Sequence, residues 1–533
     1  MKTRHIFIVF ILICLFLNSC FAPLGFNSGK PGSLSITLPR DVPHARGDLG
    51  GAPGSLTYEI LLLGPGVTEA VPLFAQYGET VNIQVDPGEW YIRVWAYDPN
   101  TPADKKAIGE TAVKVKSGGR TNAPIKMAVY TEVYDWLSLK DAVECPESHD
   151  EFIVVTGNIS FTSSDSEIYF LEDKKVTIVA QNSGLSIKST SWSGDFFHVK
   201  KGHLVIGPSY WQSENFYGSE FDLDGGSSSG NCIFVYSSAS FTMNSGTIKC
   251  FVSNGVIVDA DYDGAKLYTG TFTMNGGEIV ECSTGVCNEG NFSLNGGKLT
   301  DNNTGVTNTV HEYNNDGPEG PKFFPGIFTM KDGIINHSYD IGVYNEGNFA
   351  MEGGSIIGSE DTGVWNAGDG LFTMTGGTIT GCEYTGVVNL SIFLMKNGTI
   401  TNNTNKQGSG GGVINGPDGN FTMSGGIISN NSTVENDGGG VYNEGTFSMS
   451  GGTISGNHAD TSDTNYGRGG GVYNVYDGNL RFGVFTISGK AIITQNSASM
   501  YGGGIYNTTG VVFNNKGGTI SGNTNGDIYN EVP

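Results

Sequence analysis

The chain of 533 residues has little positive charge and no long apolar segment. Its 29 Lys and Arg are outnumbered by 53 Asp and Glu, which gives a formal net charge of −24 at pH 7. Because a surface of this sign repels phosphate groups, we expect neither nucleic-acid binding nor electrostatic attachment to anionic lipid. The longest apolar run, Ile6–Leu17, has 12 residues, and a membrane-spanning helix needs about 20. The sequence therefore predicts no permanent transmembrane helix.

Metal-ligand and nucleotide-binding patterns are also missing. The eight Cys include no Cys-x-x-Cys pair, and no two His stand at a metal-ligand spacing. The six Cys that follow residue 20 are expected to be buried thiols. No Gly-Lys-Ser/Thr follows the Gly-rich runs, so these runs are not phosphate-binding loops. The sequence therefore predicts no metal and no cofactor.

The first feature that is present is an export signal. Lys2 and Arg4 precede the apolar run and Leu17-Asn18-Ser19-Cys20 follows it, so residues 1–19 are predicted to be a signal peptide. This ending resembles the lipobox of bacterial lipoproteins. The resemblance implies cleavage before Cys20, acylation of its thiol, and a lipid anchor in the outer membrane or at the cell surface. The alternative is an ordinary signal peptide in which Cys20 has no role.

A tether and a small domain are predicted next. Residues 20–32 carry Pro and Gly at short intervals, as flexible linkers do. Residues 33–128 alternate apolar and polar side chains, which predicts an antiparallel β-sandwich resembling transthyretin-like or immunoglobulin-like modules. The expected strands are Ser33–Leu38, Thr57–Leu63, Thr80–Val85, Glu89–Tyr97, Ala112–Val115 and Ala123–Met127.

A short helix is predicted within residues 129–150. Trp136, Leu139 and Val143 recur at helical spacing, and Pro146 ends the run. An uncovered sheet edge invites aggregation. We therefore expect this helix to cap the first coil of the region that follows.

One sequence motif recurs from Phe241 onward. Its first half is Phe272-Thr273-Met274-Asn275-Gly276-Gly277-Glu278-Ile279, and its second half is Gly285-Val286-Cys287-Asn288. The shortest spacings between copies are 20 to 23 residues, and longer spacings add residues only between the halves. Each copy holds three short strand-like segments bounded by Gly or Asn. This repeat predicts a right-handed parallel β-helix over residues 151–533, with about 14 coils.

Side-chain alternation assigns the two faces of each coil. Phe272 and Met274 lie two residues apart and are predicted to point inward, with Thr273 outward. In Gly-Val-x-Asn, the Asn residues are predicted to form a hydrogen-bonded ladder along the β-helix. The variable x position is predicted to face outward, where its aromatic residues can form a binding stripe. These residues are Tyr344, Trp365, Tyr442, Tyr473 and Tyr506.

The repeat also resembles a known family. Gly438-Gly439-Gly440-Val441-Tyr442-Asn443 and Gly502-Gly503-Gly504-Ile505-Tyr506-Asn507 are similar to the Gly-Gly-aliphatic repeats of polymorphic outer-membrane proteins and related pectin-lyase-like β-helices. The likeness covers roughly residues 150–530 and implies surface display and adhesion. Four residues follow Tyr529, so we do not expect the autotransporter barrel of that family. The lipid anchor is expected to replace it.

One acidic segment could bind calcium. Asp259-Ala260-Asp261-Tyr262-Asp263-Gly264 alternates carboxylates as calcium loops do. Gly270, however, stands where such a loop would place a bidentate Glu. A solvated acidic loop is therefore favoured over a calcium site.

Three function classes are compatible with a β-helix of this composition. An adhesin or surface-display protein, binding a host protein or a glycan, is favoured. In the alternative, a passive cell-envelope scaffold, the aligned rings only stack coil on coil. A carbohydrate-active enzyme would need converging carboxylates and a cationic side chain on one outer face. Because the outward positions are mostly Thr, Ser, Asn and Tyr, we predict that the protein is not an enzyme.

Overall fold

The computed structural model divides the chain into two compact units. The first is Met1–Thr131 with His149–Phe152, and the second is Glu132–Ser148 with Ile153–Pro533. The predicted signal peptide, Cys20 and most of the tether lie outside the described residues. No helix in the described ranges is long and apolar enough to cross a membrane. The structure describes residues 30–38, 56–67, 72–76, 78–97, 105–147, 149–162, 164–190, 194–208, 221–225, 230–249, 252–313, 320–462, 466–476 and 482–532.

The first unit is a β-sandwich, as predicted. Alternate residues of one long strand, Trp90, Ile92 and Val94, are fully buried, and they pack with Leu34 and Ile36 of the opposite sheet. The smaller sheet contains, in spatial order, Thr80–Val85, Gly32–Thr37 and Arg120–Pro124. The larger sheet contains Leu73–Gln76, Thr57–Leu63, Gly88–Tyr97, Lys105–Val115 and Met127–Val133.

The expectation of a purely antiparallel sandwich is wrong at one pairing. Gly32–Thr37 pairs antiparallel with Thr80–Val85 but parallel with Arg120–Pro124. The chain between the parallel partners is long enough to cross to the other edge, which a parallel pair requires. The strand Leu73–Gln76 was not expected from the sequence.

A helix covers the first coil of the second unit, which confirms the predicted cap. It spans Trp136–Val143 and begins at Asp135, whose carboxylate accepts a hydrogen bond of 2.8 Å from the Ser138 amide. The Trp136 ring stacks on Phe161 of the first coil, with 4.0 Å between ring centroids. Because Leu139 is also fully buried, the helix closes the apolar interior at this end of the β-helix.

The rest of the second unit is a parallel β-helix with three long sheets. We name each sheet after its inward residue. Two of the sheets contain 14 strands each, which matches the predicted number of coils. Within every sheet, equivalent residues of the repeat are in register, such as Phe272 with Phe292 and Asn288 with Asn308.

The strands of each sheet follow one another in chain order. The phenylalanine sheet contains Lys175–Ala180, His203–Ile206, Ser240–Met243, Thr271–Met274, Asn291–Leu294, Ile327–Met330, Asn348–Met351, Leu371–Met374, Ile392–Met395, Asn420–Met423, Thr446–Met449, Val484–Ser488 and Val512–Lys516. The isoleucine sheet contains Ile159–Phe161, Leu185–Ser189, Phe221–Asp224, Thr247–Lys249, Glu278–Val280, Lys298–Thr300, Ile334–Asn336, Ser355–Ile357, Thr378–Thr380, Thr399–Thr401, Ile427–Ser429, Thr453–Ser455, Ile492–Thr494 and Thr519–Ser521. The asparagine sheet contains Ile168–Phe170, Phe197–Val199, Ile233–Val235, Asn254–Val258, Thr284–Asn288, Thr304–Asn308, Val343–Asn345, Thr362–Asn366, Thr385–Asn389, Val413–Asn415, Val441–Asn443, Val472–Asn474, Ile505–Asn507 and Ile528–Asn530.

Glu151–Val155 extends the phenylalanine sheet at its first edge, where the Val155 carbonyl accepts a hydrogen bond of 2.8 Å from the Gln181 amide. Shorter strands lie outside the three sheets. A small parallel sheet contains Thr404–Asn405, Ser432–Val434, His458–Asp460 and Ser497–Ala498. Two antiparallel hairpins pair Ala260–Tyr262 with Leu267–Thr269, and Val310–Tyr313 with Lys322–Pro325.

Two ladders run through the interior, and the asparagine ladder is the one that the repeat predicted. Phe rings from Phe241 to Phe485 stack with centroids 4.5–4.9 Å apart and planes within 7° of parallel. The Asn residues from Asn288 to Asn530 each donate from Nδ2 to Oδ1 of the next, at 2.7–3.2 Å. The Phe stack confirms the predicted inward orientation of Phe, and the Asn contacts confirm the predicted asparagine ladder.

A second asparagine ladder was missed from the sequence. It joins Asn403, Asn431, Asn457, Asn496 and Asn523 through Nδ2 to Oδ1 bonds of 2.9–3.0 Å. Each member lies two residues after a strand of the isoleucine sheet and follows a residue with positive φ. The signal was an Asn that recurs after Ile-Ser-x or Ile-Thr-x, which resembles an ordinary turn when it is considered alone.

Candidate functional site

The predicted aromatic stripe lies on the outer face of the asparagine sheet. Its members stand between an inward aliphatic residue and an inward Asn, and the strand register places them in one row. In order along the β-helix, this outer row contains Tyr169, His198, Phe234, Ile257, Cys287, Thr307, Tyr344, Trp365, Val388, Ile414, Tyr442, Tyr473, Tyr506 and Tyr529. Val388 and Ile414 therefore divide the predicted stripe into two groups.

Two rings of the second group are buried. Tyr473 is 5% exposed and Tyr506 is 4% exposed. The Arg468 guanidinium lies over both rings, with its Cζ 5.2 Å from each centroid. Asp437 holds that guanidinium through an Nη2 to Oδ2 contact of 2.7 Å. The expectation that Tyr473 and Tyr506 face solvent is therefore corrected, since cation–π packing covers them. Tyr442, which stacks on Tyr473 at 5.5 Å, is half-buried.

Both rings of the first group are partly accessible to solvent. Tyr344 and Trp365 are cross-strand neighbours on successive coils, and both are half-buried. The Tyr344 hydroxyl donates a hydrogen bond of 2.7 Å to Glu346 Oε1. Burial and this bond raise the pKa of Tyr344 to about 12, so the phenol is neutral at physiological pH. These two rings offer adjacent aromatic edges beside one carboxylate.

The start of the outer row holds a polar cluster around His198. Its Nε2 lies 3.1 Å from Glu167 Oε2, and its Nδ1 lies 3.1 Å from the Tyr236 hydroxyl. The Tyr169 ring stacks on the imidazole at 4.6 Å, and its hydroxyl bond to Glu167 raises the pKa of Tyr169 to about 12. His198 is buried, so its contacts here serve chiefly to join three successive coils.

The segment considered as a calcium loop forms a hairpin turn. Asp263 Oδ1 accepts hydrogen bonds of 2.8 Å from the Ala265 and Lys266 amides, and the Tyr268 hydroxyl donates to its other oxygen at 3.0 Å. Because this carboxylate is used by its own turn, the segment does not present the oxygens of a calcium loop.

Asp259, at the start of that hairpin, lies near two groups from other coils. Its carboxylate, the Glu289 carboxylate and the His311 imidazole each have a potential ligand atom within 4.8 Å of the others. His311 Nδ1 lies 3.1 Å from Glu289 Oε2. Burial and the charge of Glu289 raise the pKa of Asp259 to about 6. The sequence suggested no such cluster, because its members are 30 and 22 residues apart.

Comparison with known proteins identifies no relative. No protein-family model, curated protein or solved structure matches the chain.

Proposed function

We propose that the protein is a bacterial lipoprotein with polymorphic-outer-membrane-protein-like repeats, anchored by an acylated Cys20 at the outer membrane or cell surface. It acts as an adhesin that binds a host protein or a glycan through the outer row of the asparagine sheet. The observation that supports this best is the pair Tyr344 and Trp365, two half-exposed rings on neighbouring coils. Elsewhere the outward positions of the repeat are dominated by small polar residues.

The pair has the physical properties of a binding site. Neighbouring coils lie about 4.8 Å apart, so the two side chains form one continuous contact area on rigid strands. Aromatic side chains gain large contact area at a small entropy cost, which is why they dominate binding surfaces. Glu346 and the net charge of the chain disfavour polyanions. A neutral glycan or a protein surface with basic residues fits this site best.

Replacing both rings should abolish binding while leaving the fold intact. In the purified Tyr344→Ser/Trp365→Ser double variant, we expect affinity for the bound glycan or matrix protein to fall at least about tenfold, since loss of an aromatic anchor typically costs more than 1.4 kcal/mol. Binding to a glycan array and to immobilised matrix proteins measures this effect, and circular dichroism checks the fold.

Phe74→Ser is the matched control, because Phe74 is an aromatic side chain with 61% exposure in the first unit. It should bind as the wild type does. Equal binding by all three proteins would favour the passive scaffold, in which the rings only pack coil against coil. Release of new reducing ends from a bound polysaccharide would instead favour the carbohydrate-active enzyme.

The anchor has its own test. Cys20→Ser should move the protein from the membrane fraction to the soluble or secreted fraction and prevent incorporation of labelled fatty acid, because the thiol that carries the lipid is lost. Cys287→Ser is the control and should remain with the membrane. Fatty-acid labelling that persists in Cys20→Ser would contradict this anchor.

A further inference from the structure

Two hairpins project from the edge of the asparagine sheet, one on either side of a coil that has no hairpin insertion. The first begins after Asp259 and is closed by the Gly270 amide, which donates 2.7 Å to the Asp259 carbonyl. The second begins after Thr309 and is closed by the Gly326 amide, which donates 2.8 Å to the Thr309 carbonyl. The coil between them passes directly from Glu289 through a glycine into its next strand. Glu289 therefore lies between the bases of the two hairpins.

The hairpins also contact each other. The Tyr262 ring of the first lies 5.1 Å from Tyr313 and 4.7 Å from Phe324 of the second. Lys322 of the second lies over the same Tyr262 ring at 5.3 Å. These contacts hold the second hairpin against the first, and His311 is part of the second hairpin. The imidazole is thereby positioned by packing that is independent of the acidic residues.

We propose that Asp259, Glu289 and His311 form a binding site for a single divalent cation of the zinc class. Imidazole nitrogen and carboxylate oxygen are both zinc donors, and open zinc sites have three protein ligands and a free fourth position. Calcium, which takes six to eight oxygen ligands, does not fit a site that contains an imidazole. This site is additional to the aromatic pair and does not depend on the proposed adhesion.

The three side chains need to move only slightly to coordinate a zinc ion. Ligand distances of about 2.0–2.1 Å in a tetrahedral site place the donor atoms about 3.4 Å apart. His311 Nδ1 and Glu289 Oε2 are already 3.1 Å apart, and the potential ligand atoms of all three residues lie within 4.8 Å of one another. A small side-chain rotation of Asp259 would complete the set.

Electrostatics favours the same conclusion. Asp259 and Glu289 follow cross-strand partners, Val258 and Asn288, so the two carboxylates occupy neighbouring coils. Two carboxylates within 4.8 Å of each other repel. A divalent cation removes that repulsion and gains two charged ligands, whereas the imidazole alone can pair fully with only one of them.

Calorimetric titration of the metal-free, full-length protein with zinc chloride tests the proposal. We expect one saturable site per chain, and affinity at least tenfold weaker in His311→Gln and in Asp259→Asn, because each variant lacks one of three ligands. His337→Gln is the matched control, since His337 pairs with Asp301 at 2.6 Å outside the cluster. It should bind zinc as the wild type does.

Replacement of zinc by cobalt gives a second readout. The visible absorption of cobalt should indicate tetrahedral coordination in the wild type and should be lost in His311→Gln. Asp259→Asn relieves the carboxylate repulsion, so this variant should fold at least as well as the wild type. No saturable binding, or equal binding by wild type and His311→Gln, would overturn the proposal and leave a simple His311–Glu289 ion pair. Tyr344→Ser/Trp365→Ser should bind zinc normally, which separates this test from that of adhesion.

Discussion

Phe393→Ala is expected to destabilise the β-helix by about 3–5 kcal/mol, the cost of removing a fully buried aromatic side chain. The Phe393 ring is fully buried and stacks between Phe372 and Phe421, at centroid distances of 4.6 and 4.7 Å. Its loss would leave a cavity in the middle of the stack. Each coil is stabilised only by its neighbours, so the defect would weaken the coils on both sides. Urea unfolding followed by circular dichroism measures the change in midpoint.

Ile392→Ala supplies the control on the same strand. Its side chain is 43% exposed on the outer face, so truncation should cost well under about 1 kcal/mol. An unfolding midpoint for Phe393→Ala no lower than that of Ile392→Ala would show that the Phe stack does not stabilise the β-helix.

Asn389→Asp is expected to destabilise the β-helix as much as Phe393→Ala does, for a different reason. The Asn389 amide donates to Ser391 O at 3.1 Å and to Asn415 Oδ1 at 2.8 Å, while its oxygen accepts from Asn366 at 2.8 Å. A carboxylate has no amide hydrogen to donate. It would leave the buried Asn415 Oδ1 without its donor and place a charge in a fully buried position. We expect a loss of about 3–5 kcal/mol at pH 7.

The effect should diminish at low pH, because a protonated carboxyl can again donate one hydrogen bond. Asn397→Asp on the same coil is the control, since Asn397 is exposed, and it should unfold like the wild type at both pH values. Equal stability of Asn389→Asp and Asn397→Asp at pH 7 would contradict the role of the ladder. Unfolding curves at the two pH values provide the measurement.

The β-helix could be predicted because the spacing of the repeat determines which residues pair between neighbouring coils. When Phe272 and Phe292 occupy the same place in two copies, parallel stacking of coils puts them in contact, and the stack follows from sequence alone. The sandwich was harder, because its strands are not copies of one another. The parallel pairing of Gly32–Thr37 with Arg120–Pro124 depends on a crossover that no local pattern indicates.

The candidate sites could be predicted only where they follow the repeat. The spacing of the repeat was enough to align Tyr344 with Trp365. The burial of Tyr473, in contrast, depends on Arg468, which lies in a turn outside the repeated sequence motif. The cation cluster was not predictable for a similar reason. His311 reaches Glu289 from a hairpin that inserts after one coil and has no counterpart in the other copies of the repeat beside it. The contacts made by non-repeated insertions are therefore the part of the candidate sites that the repeat could not predict.

Adhesion of intact cells tests the proposed function most directly. Cells that display equal amounts of wild type, Phe74→Ser, or Tyr344→Ser/Trp365→Ser would be compared for attachment to cultured host cells and to immobilised matrix proteins, with surface amounts set by antibody labelling. We expect wild type and Phe74→Ser to attach equally, and the double variant to fall to the level of cells without the protein. Attachment of the double variant at the wild-type level would contradict binding through the outer row of the asparagine sheet.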